Sequence, residues 1–158
     1  MSVENMNKTG LVLYFAYGSN MNPERMRERG AAFYSRTNLI FPGYRLVFNK
    51  IVKTPDAGAA NIVRDEKAYV QGVLYLVTLR GIYNLDKFEH YPDEYDRVSL
   101  SHVVNDNSKQ EFYTYIAQPD KTREGLMPLS SYLDHLLAGR DLLTEDYCNF
   151  LKEIKTLD

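Results

Sequence analysis

The apolar run Leu11-Val12-Leu13-Tyr14-Phe15-Ala16 stops at Tyr17-Gly18-Ser19-Asn20, and this break constrains the chain more than any other stretch. A run this short, apolar and β-prone reads as a strand covered on both faces. Gly18 gives the backbone room to turn. Asn22-Pro23-Glu24 then supplies an N-cap, a first helical residue and a first-turn acid, so a helix carrying Met26 is expected just past the turn. The unsatisfied amides and positive dipole end of that helix are expected to point back toward Gly18 to Asn20, a seat for a small carboxylate or phosphate. A tight turn before a capped helix, with no ligand, carries the same signature.

Length and charge narrow the class. A chain of 158 residues reads as one domain, large enough to bury roughly two thirds of its extended surface. Residues 1–9 are polar and expected to fray, leaving 10–158 as that domain. A net charge of −2 indicates no broad basic face for nucleic acid. The run from Leu11 to Ala16 is too short for a signal core or a membrane span, and the lone Cys148 cannot form an internal disulfide, so a reducing cytoplasm is the expected compartment. Cys148 sits in a Leu/Tyr/Phe-rich helical pattern with no neighbouring His and reads as packing.

Further along, Tyr44 to Phe48 alternates like a strand and Asn61-Ile62-Val63 follows a Thr54 to Gly58 loop. Tyr69 to Val77 and Val98 to Val104 are strand candidates flanking a helix, and Glu111 to Ile116 is another, with Phe112, Thr114 and Ile116 on one face. Thr78 caps the middle helix, Ser130 or Ser131 starts the next, Gly139 stands where a left-handed C-terminal residue would, and Thr144-Glu145 opens a last helix through Ile154. Many strands with three or four helices predict an α+β fold whose small, barrel-like mixed sheet is closed or strongly curled, with helices outside.

In the middle helix Leu79, Ile82, Leu85 and Glu89 fall at spacings of three and four and share a face. Glu89 therefore sits on the core stripe, where burial disfavours its anion and raises its pKa unless cations or donors compensate. A carboxyl tuned that way suits proton transfer near neutral pH. Solvent at the helix end, or a pair with Arg97, would account for it equally. Asp86, one residue off the stripe, reads as bonded to local backbone or solvent, and Asp93, Glu94 and Asp96 read as a solvated acidic turn.

These features together resemble the gamma-glutamylcyclotransferase and AIG2-like family. Tyr14-Phe15-Ala16-Tyr17-Gly18-Ser19-Asn20 is similar to the family's opening motif, and Leu85-Asp86-Lys87-Phe88-Glu89 to its Leu-Asp-x-x-Glu segment. Gly72-Val73-Leu74-Tyr75, Tyr95, Ser131-Tyr132 and Gly139 extend the similarity over about residues 11–150. Many members carry Gly directly after the Glu, where this chain has His90; the difference bears on the pocket rim and on substrate identity.

The resemblance implies that a gamma-glutamyl amide cyclises to 5-oxoproline and a released amine, without a cofactor. On that footing Glu89 is the catalytic acid and base, and Tyr14, Tyr17, Gly18, Ser19, Asn20 and Tyr132 surround the substrate. The turn and Glu89 should then face one cavity, within about 10 Å, since catalytic groups act over about 3 Å at each end of the substrate. Tyr132 reads equally as a packed aromatic, and His90 as a surface residue. No metal is expected: His90, His102 and His135 are scattered, without ligand-like spacing. Ser19 lacks the Gly-x-Ser-x-Gly context and His partner of a hydrolase. The expected partner is a small gamma-glutamyl molecule, with no nucleic acid and no membrane, for a chain acting as monomer or homodimer. The other reading is a non-catalytic binding or regulatory protein of the same fold that holds a gamma-glutamyl-like or carboxylate ligand; loss of the Glu would be its mark, and Glu89 is present. Among leaving amines, the acidic 93–96 turn would favour a cation.

Overall fold

The structure, a computed structural model, describes residues 10–158; residues 1–9, expected to fray, lie outside the described residues. Strand β1 (Leu11–Ala16) sends Val12, Tyr14 and Ala16 to one face and Leu13 and Phe15 to the other, and all five are buried, as a central strand with period-two alternation requires. Around it lie β2 (Phe33–Ile51), β3 (Gly58–Thr78), β4 (Tyr95–Asn105) and β5 (Ser108–Ala117). The sheet order is β2-β3-β1-β5-β4, with β1 parallel to β5 and every other pairing antiparallel.

The sheet is mixed and strongly curled. Flat strands would hold β2 and β5, three spacings apart, about 14 Å from one another, yet Phe41 on β2 and Phe112 on β5 meet with ring centroids 5.2 Å apart. Leu13, Phe15, Tyr17, Leu39, Phe41, Ile62, Val70 and Phe112 fill the inside of this curl. Register shifts in the β2/β3 ladder after Phe33, Pro42 and Val47 bend the hairpin. The curl does not close: β2 and β4 remain edges that do not pair with each other. Pro42, which has no N–H to donate, lies in the edge strand β2.

The outer face carries the helices α1 (Pro23–Glu28), α2 (Leu79–Phe88), α3 (Ser130–Leu137) and α4 (Glu145–Lys152). Met26, Ile82, Leu85, Leu133, Leu136 and Leu151 pack with Val12, Tyr14, Val73 and Tyr75, each aliphatic side chain contributing about 1.5–3 kcal/mol by leaving water. Thr78 and Thr144 cap α2 and α4 by accepting from the Gly81 and Tyr147 amides. No helix among the described residues is long and apolar enough to cross a membrane.

Three expectations change. The stretches 61–63 and 69–77 belong to one strand, β3, because β2 continues from Phe33 through the largely exposed Tyr34 to Asn38, pairs with β3 over nearly its whole length and carries no apolar alternation there. Gly139 has φ −95° and is not left-handed; a Cβ there would stand 2.8 Å from the Met21 carbonyl, so close packing of α3 against the 19–21 turn requires glycine. The last helix ends at Lys152.

Candidate functional site

Tyr17 leaves β1 with its ring inside the curl, and its hydroxyl donates to the Tyr115 carbonyl on β5. Gly18 then passes β3 so closely that a Cβ would stand 3.0 Å from Ala60 Cβ and 3.3 Å from the Tyr132 hydroxyl. Close approach to β3 selects glycine here. Ser19–Met21 forms a 3₁₀ turn in which the Met21 amide donates to Gly18 O at 3.0 Å and the Asn22 amide to Ser19 O at 3.2 Å. The Ser19 and Asn20 amides have no acceptor among the described residues. The expectation that α1 lends its amides to this seat is corrected: Asn22 Oδ1 already accepts from the Glu24 amide at 3.1 Å, and the helix has six residues. The donors belong to the turn itself.

Asn20, buried, joins the turn to the middle helix. Its Nδ2 donates to the Tyr14 hydroxyl at 2.9 Å and to Glu89 Oε1 at 3.1 Å, while Arg29 Nη1 donates to its Oδ1 at 3.1 Å. Its carbonyl accepts from Tyr75 at 2.7 Å. Glu89 caps the C-terminus of α2 and continues the Ile82/Leu85 stripe inward; its side chain is 16% exposed and lies 3.3 Å from Arg29 Nη1. Burial raises its pKa, and it prevails over the opposing pulls of Arg29 and the Asn20 amide. Arg97, the alternative partner, instead lies 3.6 Å from Asp86.

Glu89, Tyr14, Tyr17, Gly18, Ser19, Asn20 and Tyr132 all line one cavity, completed by Ala60, Tyr95 and Tyr115 and holding about 310 Å³ of empty space counting its mouth. Every residue expected at the site therefore faces the same volume. Burial holds the hydroxyls of Tyr14, Tyr17, Tyr95 and Tyr132 above the ordinary phenol range, so all four remain neutral near pH 7. Tyr132 accepts from the Ala60 amide at 3.0 Å and Tyr95 donates to the Ala60 carbonyl at 2.7 Å. Both rings are thereby pinned across β3, and Tyr132 serves packing and cavity wall together.

Ser19, Glu89, Tyr95 and Tyr132 also border an outer groove of about 930 Å³, which Arg25, Arg29, Lys50 and Lys53 line. None of these cations was singled out from sequence. Arg25 in α1 and Arg29, the residue that caps its C-terminus, are four apart and could have been read as one face; the pairing of Arg29 with Glu89, sixty positions away, could not. Arg25 Nη1 lies 2.8 Å from His135 Nε2, and its buried Nε has no hydrogen-bond partner among the described residues.

Two further readings are corrected. Asp86 does not turn to local backbone or solvent: it accepts from the Tyr115 hydroxyl at 2.7 Å and faces Arg97. The acidic turn is solvated at Asp93, but Glu94 lies 2.7 Å from the ammonium of Lys50, whose side chain is 7% exposed, and Asp96 is within β4. The cluster thus has no spare charge at Glu94 with which to favour a cationic amine.

A family model described as gamma-glutamyl cyclotransferase, AIG2-like, matches residues 14–134. The chain belongs to that family. Several solved structures share the fold. A structure titled gamma-glutamyl cyclotransferase superposes with TM-score 0.79 at 24% identity over 94% of this chain and 90% of its own. An uncharacterized protein from Homo sapiens gives the same figures. YkqA from Bacillus subtilis gives TM-score 0.78 at 20% identity over 97% of this chain, which spans 59% of YkqA. No curated protein sequence matches significantly.

At the rim of the outer groove His90 adopts φ +54°. The Tyr91 amide donates to Asp86 O at 3.0 Å and the His90 amide to Lys87 O at 3.4 Å, a Schellman ending whose left-handed residue is His90. Its side chain is 66% exposed and 3.8 Å from Glu94, and it borders the outer groove but not the inner cavity. His90→Gly is expected to stabilise by about 1 kcal/mol, because only glycine occupies this region without Cβ strain. The gain should read as a rise of about 2–4 °C in melting temperature; an unchanged or lower value would show that the imidazole contacts outweigh the backbone term.

Proposed function

We propose that this protein cyclises a gamma-glutamyl amide to 5-oxoproline and a free amine, with Glu89 carrying the protons. The observation that carries this reading is a carboxyl of raised pKa sharing a cavity, 3.1 Å from Asn20, with a turn whose amides await an acceptor. In this reading the Ser19 and Asn20 amides hold the substrate's alpha-carboxylate or steady the oxyanion, the latter worth about 2.7–4 kcal/mol per well-aimed donor. The neutral tyrosines fix the glutamyl chain.

Glu89 takes a proton from the substrate's alpha-ammonium, and the freed amine attacks the gamma-carbonyl carbon. As the tetrahedral intermediate collapses, the carboxylic acid returns its proton to the departing nitrogen and the amide C–N bond breaks. In total the attacking nitrogen gives up two protons and the leaving nitrogen gains two, so the balance closes on one carboxyl acting in turn. Asn20 and Arg29, both donating to Oε1, hold that carboxyl in place.

The test is 5-oxoproline release from gamma-glutamyl amides by the purified protein, followed against pH. The acid limb of kcat/KM should fall above 4.5, the ordinary value for Glu, because the base form must be present before attack. Binding of a gamma-glutamyl amide without release at any pH would support the non-catalytic reading instead.

A further inference from the structure

Among the charged residues described, only Lys50 is buried, with 5% of its surface exposed. A charge taken out of water needs partners to hold it there. The Lys50 ammonium donates to Glu94 Oε1 and to the Ile51 carbonyl, both at 2.7 Å, and stands 5.4 Å from the centre of the Tyr95 ring. Two of its three N–H donors are thus committed to the protein, and the proton transfers assigned to Glu89 leave it unused.

Its partners lie in the segment that runs from Glu89 to Tyr95. The Glu94 amide donates to His90 O at 2.9 Å, closing this segment on itself. Lys50 stands opposite Ala59 in the β2/β3 ladder, and the neighbouring Ala60 carbonyl accepts from the Tyr95 hydroxyl at 2.7 Å. The hairpin therefore grips two consecutive residues, Glu94 from β2 and Tyr95 from β3. Asn20 and Arg29 hold the other end of the segment at Glu89 Oε1. A shift at Glu94 would pass to Tyr95 on the cavity wall and back along the segment to Glu89. The hydrogen bond from Lys50 lowers the Glu94 pKa below its ordinary value, which keeps the pair intact near neutral pH.

We propose that Lys50 is a positioning residue for the reaction: through Glu94 and Tyr95 it locks the 89–95 segment onto the β2/β3 hairpin and so sets where the Glu89 carboxyl stands. This deepens, and rests on, the cyclotransferase reading.

Lys50→Met keeps much of the stem and removes the ammonium. It is expected to lower kcat on a gamma-glutamyl amide about 10–100-fold, the scale of a misplacement of about 1 Å, with KM changed by less than about threefold. The single replacement also strands the Glu94 charge, so the double variant Lys50→Met/Glu94→Met separates folding from positioning. Exchanging both partners of a buried pair for apolar groups preserves stability; its melting temperature should return toward wild type while kcat stays low. The pH dependence is a further readout. Lys50 faces Glu89 as a charge together with Arg29 and Arg25. The other titratable groups on the inner cavity are the hydroxyls of Tyr14, Tyr17, Tyr95, Tyr115 and Tyr132, and His90, Lys53 and Glu94 share the outer groove. Losing the Lys50 charge disfavours the Glu89 anion. In Lys50→Met the acid limb of kcat/KM, and the titration of the Glu89 carboxyl followed by carbon-13 NMR, should therefore move to higher pH, which loss of stability alone would not cause.

With the wild-type protein active, unchanged kcat in Lys50→Met, or a loss confined to KM, overturns the inference and leaves the cyclotransferase reading intact. Recovery of kcat along with melting temperature in the double variant does the same. A wild type that releases no 5-oxoproline, with the Glu89 titration still moved upward in Lys50→Met, supports the hold of Lys50 on Glu89 and overturns the chemistry. If there is neither release nor movement, both are overturned.

Discussion

Replacing Glu89 with glutamine is expected to lower turnover about 10²–10⁴-fold, the usual worth of positioned acid–base catalysis, in a protein that still folds and still binds a gamma-glutamyl amide. Glutamine keeps the acceptor oxygen for Asn20 Nδ2 and Arg29 Nη1, which lie 3.1 and 3.3 Å from Oε1, but cannot titrate. Glu89→Asp should also be poor, because withdrawing the carboxyl by one methylene spoils its alignment. A stability measurement gives an independent check. Burial raises the Glu89 pKa in the folded state above its ordinary 4.5, so the folded protein binds this proton more tightly than the unfolded chain does. The associated stabilisation is fully present below 4.5 and is lost as pH rises through the folded-state value. The melting temperature of wild type should decline across that window, and the Gln variant should lack this part of the decline. Full activity in the Gln variant, on a substrate the native protein cyclises, would assign the proton to another group, with His90 the first to test.

The site was legible where it is local and illegible where it depends on the curl of the sheet. Gly18 to Asn20 and Glu89 carry their signals in sequence: a broken apolar run, and a carboxylate on a helical stripe. Their distance of one hydrogen bond is written nowhere in the chain, because Asn20 and Glu89 stand sixty-nine positions apart with the β2/β3 hairpin between them. Tyr95 enters the reading only through the resemblance and Tyr115 only as part of the 111–116 strand; the curl is what turns both onto one cavity. Strand β2 shows why local patterns fall short in another way. Its polar start, Tyr34 to Asn38, is an edge largely open to solvent and is held by ladder bonds to β3, so no hydrophobic period marks it. The same edge position explains the open sheet, since nothing pairs β2 with β4. Asp86 shows the converse: one position off the apolar stripe is still close enough to β5 for Tyr115 to reach it.

Asp86→Ala is expected to destabilise by about 3 kcal/mol, because it removes at once the acceptor of the Tyr115 hydroxyl and the charge facing Arg97, with the Asp86 and Arg97 side chains 14% and 16% exposed. For a chain of this length the loss corresponds to about 6–12 °C in melting temperature. Asp86→Asn, which keeps an acceptor for Tyr115 and loses the charge, should fall between wild type and Ala. Tyr115→Phe should cost about 1 kcal/mol, and less in the Asp86→Ala background, where the hydroxyl has already lost this partner. The damage should reach catalysis without any contact to substrate by Asp86. Tyr115 walls the cavity, meets Tyr14 edge-on at 5.7 Å and takes the Tyr17 hydroxyl on its carbonyl, so loosening it disturbs both the floor beside Glu89 and the end of β1. Turnover should therefore drop in Asp86→Ala even at temperatures where the variant is fully folded. A melting temperature within about 2 °C of wild type would return Asp86 to the solvated role its position in the sequence suggests, since that shift corresponds to less than about 1 kcal/mol.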